Sequence, residues 1–128
     1  MTPLEQLAFM LGSWRIEGKM HGQPASGRAQ AERALDGSTI IYREFLEDYE
    51  DLCIYREDEL GELEVHHFST DGVFRHAVHA MDDGRGFHWV PNTVFGPIVR
   101  LFPGPEGFRI EVAHRDSAQP EVVLKLSR

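Results

Sequence analysis

One feature constrains this chain more than any other. From Trp14 to the C-terminus, apolar and polar residues alternate with a period of two, and turn signals cut that alternation into short lengths. The turn signals are Gly22-Gln23-Pro24, Asp36-Gly37, Leu60-Gly61, Asp71-Gly72, Asp83-Gly84 and the run Pro103-Gly104-Pro105-Glu106-Gly107. Period two puts alternate side chains on opposite faces of a strand. Two-residue Asp-Gly turns join strands that are neighbours in space, which gives an up-and-down order. A long meander must also dispose of its two edges, and closure removes both. The expected fold is therefore all-β: a closed antiparallel up-and-down barrel of roughly eight to ten strands. With 128 residues and neither linker nor repeat, residues 1–128 read as one domain.

The segment before the first strand follows a different rule. Leu4, Leu7, Ala8 and Leu11 recur at helical spacing, and Gly12 is a stop signal. Thr2, Pro3 and Glu5 supply an N-cap, a first-turn proline and a capping-box acid. Two to three turns are unstable alone, so this helix is expected to lie on an apolar surface and plug one barrel end.

Turn positions set register, and register assigns faces. A turn at Asp71-Gly72 places His67 opposite His76, Val65 opposite Val78 and Ser69 opposite Phe74, all inward. Glu64, His66, Phe68, Arg75 and His79 then face water. A turn at Asp83-Gly84 pairs Val78 with Trp89 and Ala80 with Phe87 on the same inner face. A turn at Asp36-Gly37 pairs Arg33 with Ile40, Ala31 with Tyr42 and Ala29 with Glu44. A turn around Pro105 and Glu106 pairs Leu101 with Ile110 and Val99 with Val112 inside. It sets Arg100 against Glu111 outside, as a surface ion pair, and His114 looks inward on the same parity. Gly18, Gly27, Ala29 and Ala31 make one inner wall of small residues, which is expected to leave volume unfilled. Arg33, Tyr42, Glu44, His67, His76 and His114 make the interior partly polar, and buried polar groups require partners. An Arg33–Glu44 ion pair and a His67–His76 pair would meet that requirement without any further role.

Composition narrows the function. Net charge is −8, from 13 basic and 21 acidic residues, so nucleic acid and anionic membranes are not expected partners. The acids concentrate between Glu44 and Glu64 and read as a solvated rim. No apolar run spans a bilayer, no secretory signal is visible, and Cys53 is the only cysteine. Together these point to a reducing, cytoplasmic setting. His76 and His79 lie on opposite faces of a strand and cannot share an ion. Glu64, His79 and His88 share the outer face and have the ligand types of a zinc site, yet a chance cluster is the simpler reading, and no metal is expected. Cys53 and the serines lack a visible base and orienting group, so nucleophilic catalysis has no motif.

The run Leu11-Gly12-Ser13-Trp14, where a short helix meets Gly-x-Trp at the first strand, resembles the calycin superfamily. That superfamily includes lipocalins, fatty-acid-binding proteins and haem-binding nitrobindin-like barrels. The chain most resembles the uncharacterised bacterial lipocalin-like and nitrobindin-like families. The resemblance implies that Trp14 closes one barrel end under the helix, and that the role is binding. The chain departs from fatty-acid-binding proteins in having no room for a helical lid between Met20 and Gly27. It also has Arg128 but no tyrosine near the C-terminus. Nitrobindin-like proteins hold haem through a histidine near the C-terminus, and the nearest here is His114.

The expected function is a non-enzymatic barrel for a small, mostly apolar or amphiphilic ligand with an acidic group. Arg33 and Tyr42 would orient its polar end, with His67 and His76 as further hydrogen-bond partners. Phe74, Trp89, Ile110 and Val112 would contact its apolar body. One alternative is haem held by His114, His67 or His76. Another is an enzyme using His67 or His76 as general base. A homodimer is the one protein partner this reading admits.

Overall fold

A computed structural model describes residues 2–91, 97–114 and 119–128. Among these residues ten strands close into an antiparallel barrel: β1 (Gly12–Met20), β2 (Gln23–Ala34), β3 (Thr39–Leu46), β4 (Tyr49–Glu57), β5 (Leu63–Ser69), β6 (Gly72–Ala80), β7 (Phe87–Trp89), β8 (Ile98–Pro103), β9 (Gly107–Ala113) and β10 (Val122–Ser127). Each strand pairs with its neighbour in sequence, and β1 pairs with β10 from Arg15–Ser127 to Met20–Val122, which completes the ring. No helix among the described residues is long and apolar enough to cross a membrane.

Three of the four expected registers are present. Arg33 lies opposite Ile40, Val78 opposite Trp89, and Leu101 opposite Ile110. The fourth is shifted by two residues: His67 lies opposite Phe74, and Val65 opposite His76. The Ser69 hydroxyl accepts the Asp71 amide at 3.2 Å, so the turn falls on Thr70-Asp71 and Gly72 already pairs with Ser69. A two-residue shift preserves which face each side chain occupies, but it removes the direct His67–His76 pairing.

The N-terminal helix is a 3-10 helix over Leu4–Met10, not an α-helix. Three residues per turn bring every third side chain into one row. That row is Leu4, Leu7 and Met10, all buried, where helical spacing pointed to Ala8 and Leu11. The Thr2 hydroxyl accepts the Glu5 amide, as expected of a cap. The Glu5 carboxylate does not fold back; it reaches across to Arg33, with contacts of 2.9 and 3.3 Å. The Trp14 indole N–H donates to the Met10 carbonyl at 2.8 Å and satisfies one of the orphan carbonyls at the helix end. Phe9, Trp14 and Phe108 meet edge to face around this contact, and together they close the barrel end beneath the helix.

The wall of small residues has a different purpose from the one expected. A Cβ on Gly18 would lie 1.9 Å from the Val123 carbonyl oxygen, and one on Gly27 would lie 2.0 Å from that of Phe45. These glycines let neighbouring backbones approach where the strands coil, and neither they nor Ala29 and Ala31 line the cavity. On the outside, Arg100 faces Glu111 in register, but Glu111 pairs with Arg109 at 2.6 Å.

Candidate functional site

The half of the barrel away from the helix holds a cavity of about 550 Å³. Its apolar walls come from the inward positions of β7 to β10: Trp89, Val99, Leu101, Ile110, Val112 and Leu124. Its polar side comes from β3, β4 and β5, which contribute Tyr42, Glu44, Tyr49, Asp51 and His67. His21, Asp71, His114 and Glu121 also line it, at the ends of strands on the side opposite the helix.

The expected site residues divide accordingly. Tyr42, His67, Phe74, His76, Trp89, Ile110, Val112 and His114 all line the cavity. Phe74 stands at its margin, 43% exposed. His114 meets Glu121 at 3.2 Å, and Glu121 also lies 3.7 Å from His21. Arg33 is elsewhere. It shares the inward parity of Ala29 and Ala31, but it stands near the helix end of β2 and spends its guanidinium on Glu5. The Arg33–Glu44 pair therefore does not form, and Arg33 orients nothing in the cavity.

Glu44 is instead held by phenols. The Tyr42 hydroxyl donates to Glu44 Oε1 at 2.7 Å. The Tyr49 hydroxyl lies between two carboxyl groups, 3.1 Å from Glu44 Oε2 and 2.6 Å from Asp51 Oδ2. One phenol has one proton and cannot donate to both. The shorter contact marks Asp51 as the acceptor. The contact to Glu44 is then a hydrogen bond only if Glu44 is protonated and donates to the Tyr49 oxygen. Burial pushes the Glu44 carboxyl above its ordinary value, and the nearby Asp51 charge adds to the rise, against the opposing effects of the tyrosine hydrogen bonds and of His67. Burial also raises Tyr42 and Tyr49 well above the ordinary phenol range, so both remain proton donors. The result is a hydrogen-bonded chain of Tyr42, Glu44, Tyr49 and Asp51.

The chain ends at an open acceptor. Asp51 Oδ1 is buried and has no hydrogen-bond partner among the described residues. His67 Nε2 lies 3.2 Å from it, an ion-pair contact when the imidazole is protonated, but outside hydrogen-bond geometry. His67 and His76 flank Trp89 at ring-centre distances of 5.4 and 5.3 Å, so the indole stands where direct contact between the two imidazoles was expected. His76 Nδ1 donates to the Val90 carbonyl at 3.1 Å, which fixes its tautomer and leaves Nε2 as the acceptor nitrogen. Trp89 donates to the Tyr55 hydroxyl at 3.2 Å. Cys53 stands between Tyr42 and His67 in the ladder and also lines the cavity, and burial raises its thiol well above the ordinary value.

Sequence reasoning missed Tyr49 and Asp51. Both fall within the acidic run taken for a solvated rim. The same run contains Glu44 and Glu64, each buried. Glu64 is on the outer face as expected, but Arg56, Arg75 and His66 cover it at 3.4, 3.3 and 3.1 Å. Those three partners occupy the carboxylate that a Glu64–His79–His88 zinc site would need, and no metal-binding cluster is present among the described residues. Tyr49 and Asp51 have the inward parity of Cys53 and Tyr55, and that parity was the one signal that could have found them.

Comparison with protein-family models, with curated proteins and with solved structures finds no match to this chain.

Proposed function

We propose that this protein is a small-molecule-binding barrel of the calycin, lipocalin-like kind, which holds a small, mostly apolar ligand without transforming it. The observation that carries this reading is the cavity itself. It combines apolar walls with a convergent polar side that contains a buried acceptor without a hydrogen bond among the described residues. A packed scaffold would fill such a volume, because an apolar void costs contacts on every side. The buried thiol of Cys53 supports a reducing, cytoplasmic setting. The acidic head group expected for the ligand rested on Arg33, and with Arg33 at the other end of the barrel that expectation loses its support.

Native mass spectrometry of protein purified from its own host tests the reading. A co-purifying small-molecule mass, lost when Val112 is replaced by Trp to fill the cavity, is the expected result. An unliganded mass, together with Val112→Trp protein more stable than the wild type and equally unliganded, would identify a vacant scaffold.

Haem is a second reading with one observation in its favour. The Val90 carbonyl orients His76 as second-shell groups orient metal-binding histidines. The rest of the lining fits haem poorly, because no Arg or Lys among the described lining residues could meet the two propionates. Hemin titration of the protein decides the point: a Soret shift abolished by His76→Ala supports haem, and an unshifted band excludes it.

A further inference from the structure

We infer that the cavity is selective for amphiphilic amines: an ammonium head donating to Asp51 Oδ1, and an apolar tail lying against Trp89, Ile110 and Val112. The inference rests on the binding role proposed above and names its ligand class.

Three observations converge on it. First, the sign of the lining. Glu44, Asp51, Asp71 and Glu121 line the cavity, and among the described residues neither Arg nor Lys does. A ligand carboxylate would find no cation of the Arg–carboxylate kind to receive it. Second, the proton accounting. The Tyr49 hydroxyl meets Asp51 Oδ2 at 2.6 Å, its shorter contact, so that oxygen already has a donor and Oδ1 is the one left over. Third, that oxygen. Asp51 lines the cavity, and its buried Oδ1 has no hydrogen-bond partner among the described residues. Buried acceptors are rarely left so, and a charged acceptor is best met by a charged donor. His67 is the nearest candidate within the protein: its Nε2 lies 3.2 Å away, at ion-pair distance when the imidazole is protonated, but out of hydrogen-bond geometry. Of the remaining imidazoles in the cavity, His76 faces the Val90 carbonyl, while His21 and His114 face Glu121. None of them serves Asp51. An alkylammonium supplies both the N–H and the positive charge.

The test is calorimetric binding of octylamine, octanol and octanoate to the full-length protein at about pH 8, where an alkylammonium, like a lysine side chain, keeps its charge. The three probes share a tail and differ in the head. Octylamine is expected to bind at least about tenfold more tightly than octanol, and octanoate more weakly than both. Asp51→Asn should bring octylamine down to the octanol value while leaving octanol unchanged. If octanol or octanoate binds as tightly as octylamine, the amine assignment is wrong and the container role stands. If Asp51→Asn keeps the amine preference, Asp51 is not the receptor. If none of the three binds, both readings fall. The wild-type ranking decides the matter alone should the variant fail to fold.

Discussion

Glu44 shows how one buried carboxyl can set the character of a cavity. Burial pushes its carboxyl above the ordinary value, against the pull of the Tyr42 and Tyr49 hydrogen bonds toward the charged form. Because its folded value lies above its free value, the folded state holds the proton more tightly than the unfolded chain does. Stability from this group is complete at low pH and declines as pH rises through the folded value. Glutamine copies the protonated acid, with its oxygen accepting from Tyr42 and its amide donating to Tyr49. Urea denaturation should therefore show Glu44→Gln gaining on the wild type as pH rises from the acid range to neutrality. Glu44→Ala should lose about 2 kcal/mol throughout, since it orphans the buried Tyr42 hydroxyl. A Glu44→Gln protein that weakens relative to wild type on the same pH rise would mean the carboxyl is ionised in the fold.

Strands β1 and β2 illustrate a limit that backbone geometry places on side chains. At Gly18 and Gly27 the carbonyl of the neighbouring strand occupies the place a Cβ would take. Gly104 lies in a turn, where the nearest atom to an added Cβ is 3.7 Å away. Thermal or chemical denaturation should find Gly27→Ala destabilised by about 2 kcal/mol or more, because backbone cannot yield as a side chain can. Gly104→Ala should fall within about 0.5 kcal/mol of wild type. Equal costs at the two positions would show that the close approach at Gly27 is not a structural requirement. The helix obeys a similar economy. Its three buried residues stand in one row; its C-terminal end is pinned by Trp14 and its first turn by the Arg33–Glu5 pair, an exposed contact worth no more than about 1 kcal/mol.

Closure joins the two ends of the chain, since β10 completes the ring by pairing with both β9 and β1. Val122, Leu124 and Leu126 are buried there, so β10 supplies core as well as hydrogen bonds. Deleting residues 122–128 should expose the edges of β1 and β9 and remove that core. Size-exclusion chromatography and amide NMR should then show aggregation or loss of dispersed signals relative to the undeleted chain. A truncated protein that retained native amide dispersion would show that the open sheet is stable without its last strand. The β1–β10 pairing spans nearly the whole sequence, and such non-local contacts place folding on the slow side, in milliseconds to seconds.

Alternation and turn chemistry are local properties, and they determined what local properties can: an all-β barrel, the order of its strands, and the inner or outer face of nearly every residue named. Face parity survived even at Thr70-Asp71, where a serine hydroxyl moved the turn, because the shift was an even number of residues. Depth along a strand is another matter. Arg33 and Tyr42 share a parity, yet one lies by the helix and the other lines the cavity, and no pattern of period two distinguishes them. The acidic run from Glu44 to Glu64 looked solvated because charge usually is. Only the folded barrel brought Tyr42 and Tyr49 to Glu44, Arg56 and Arg75 to Glu64, and left one oxygen of Asp51 without a hydrogen bond among the described residues. Partners across a barrel are fixed by three-dimensional distance, and a linear sequence carries that distance only through the fold.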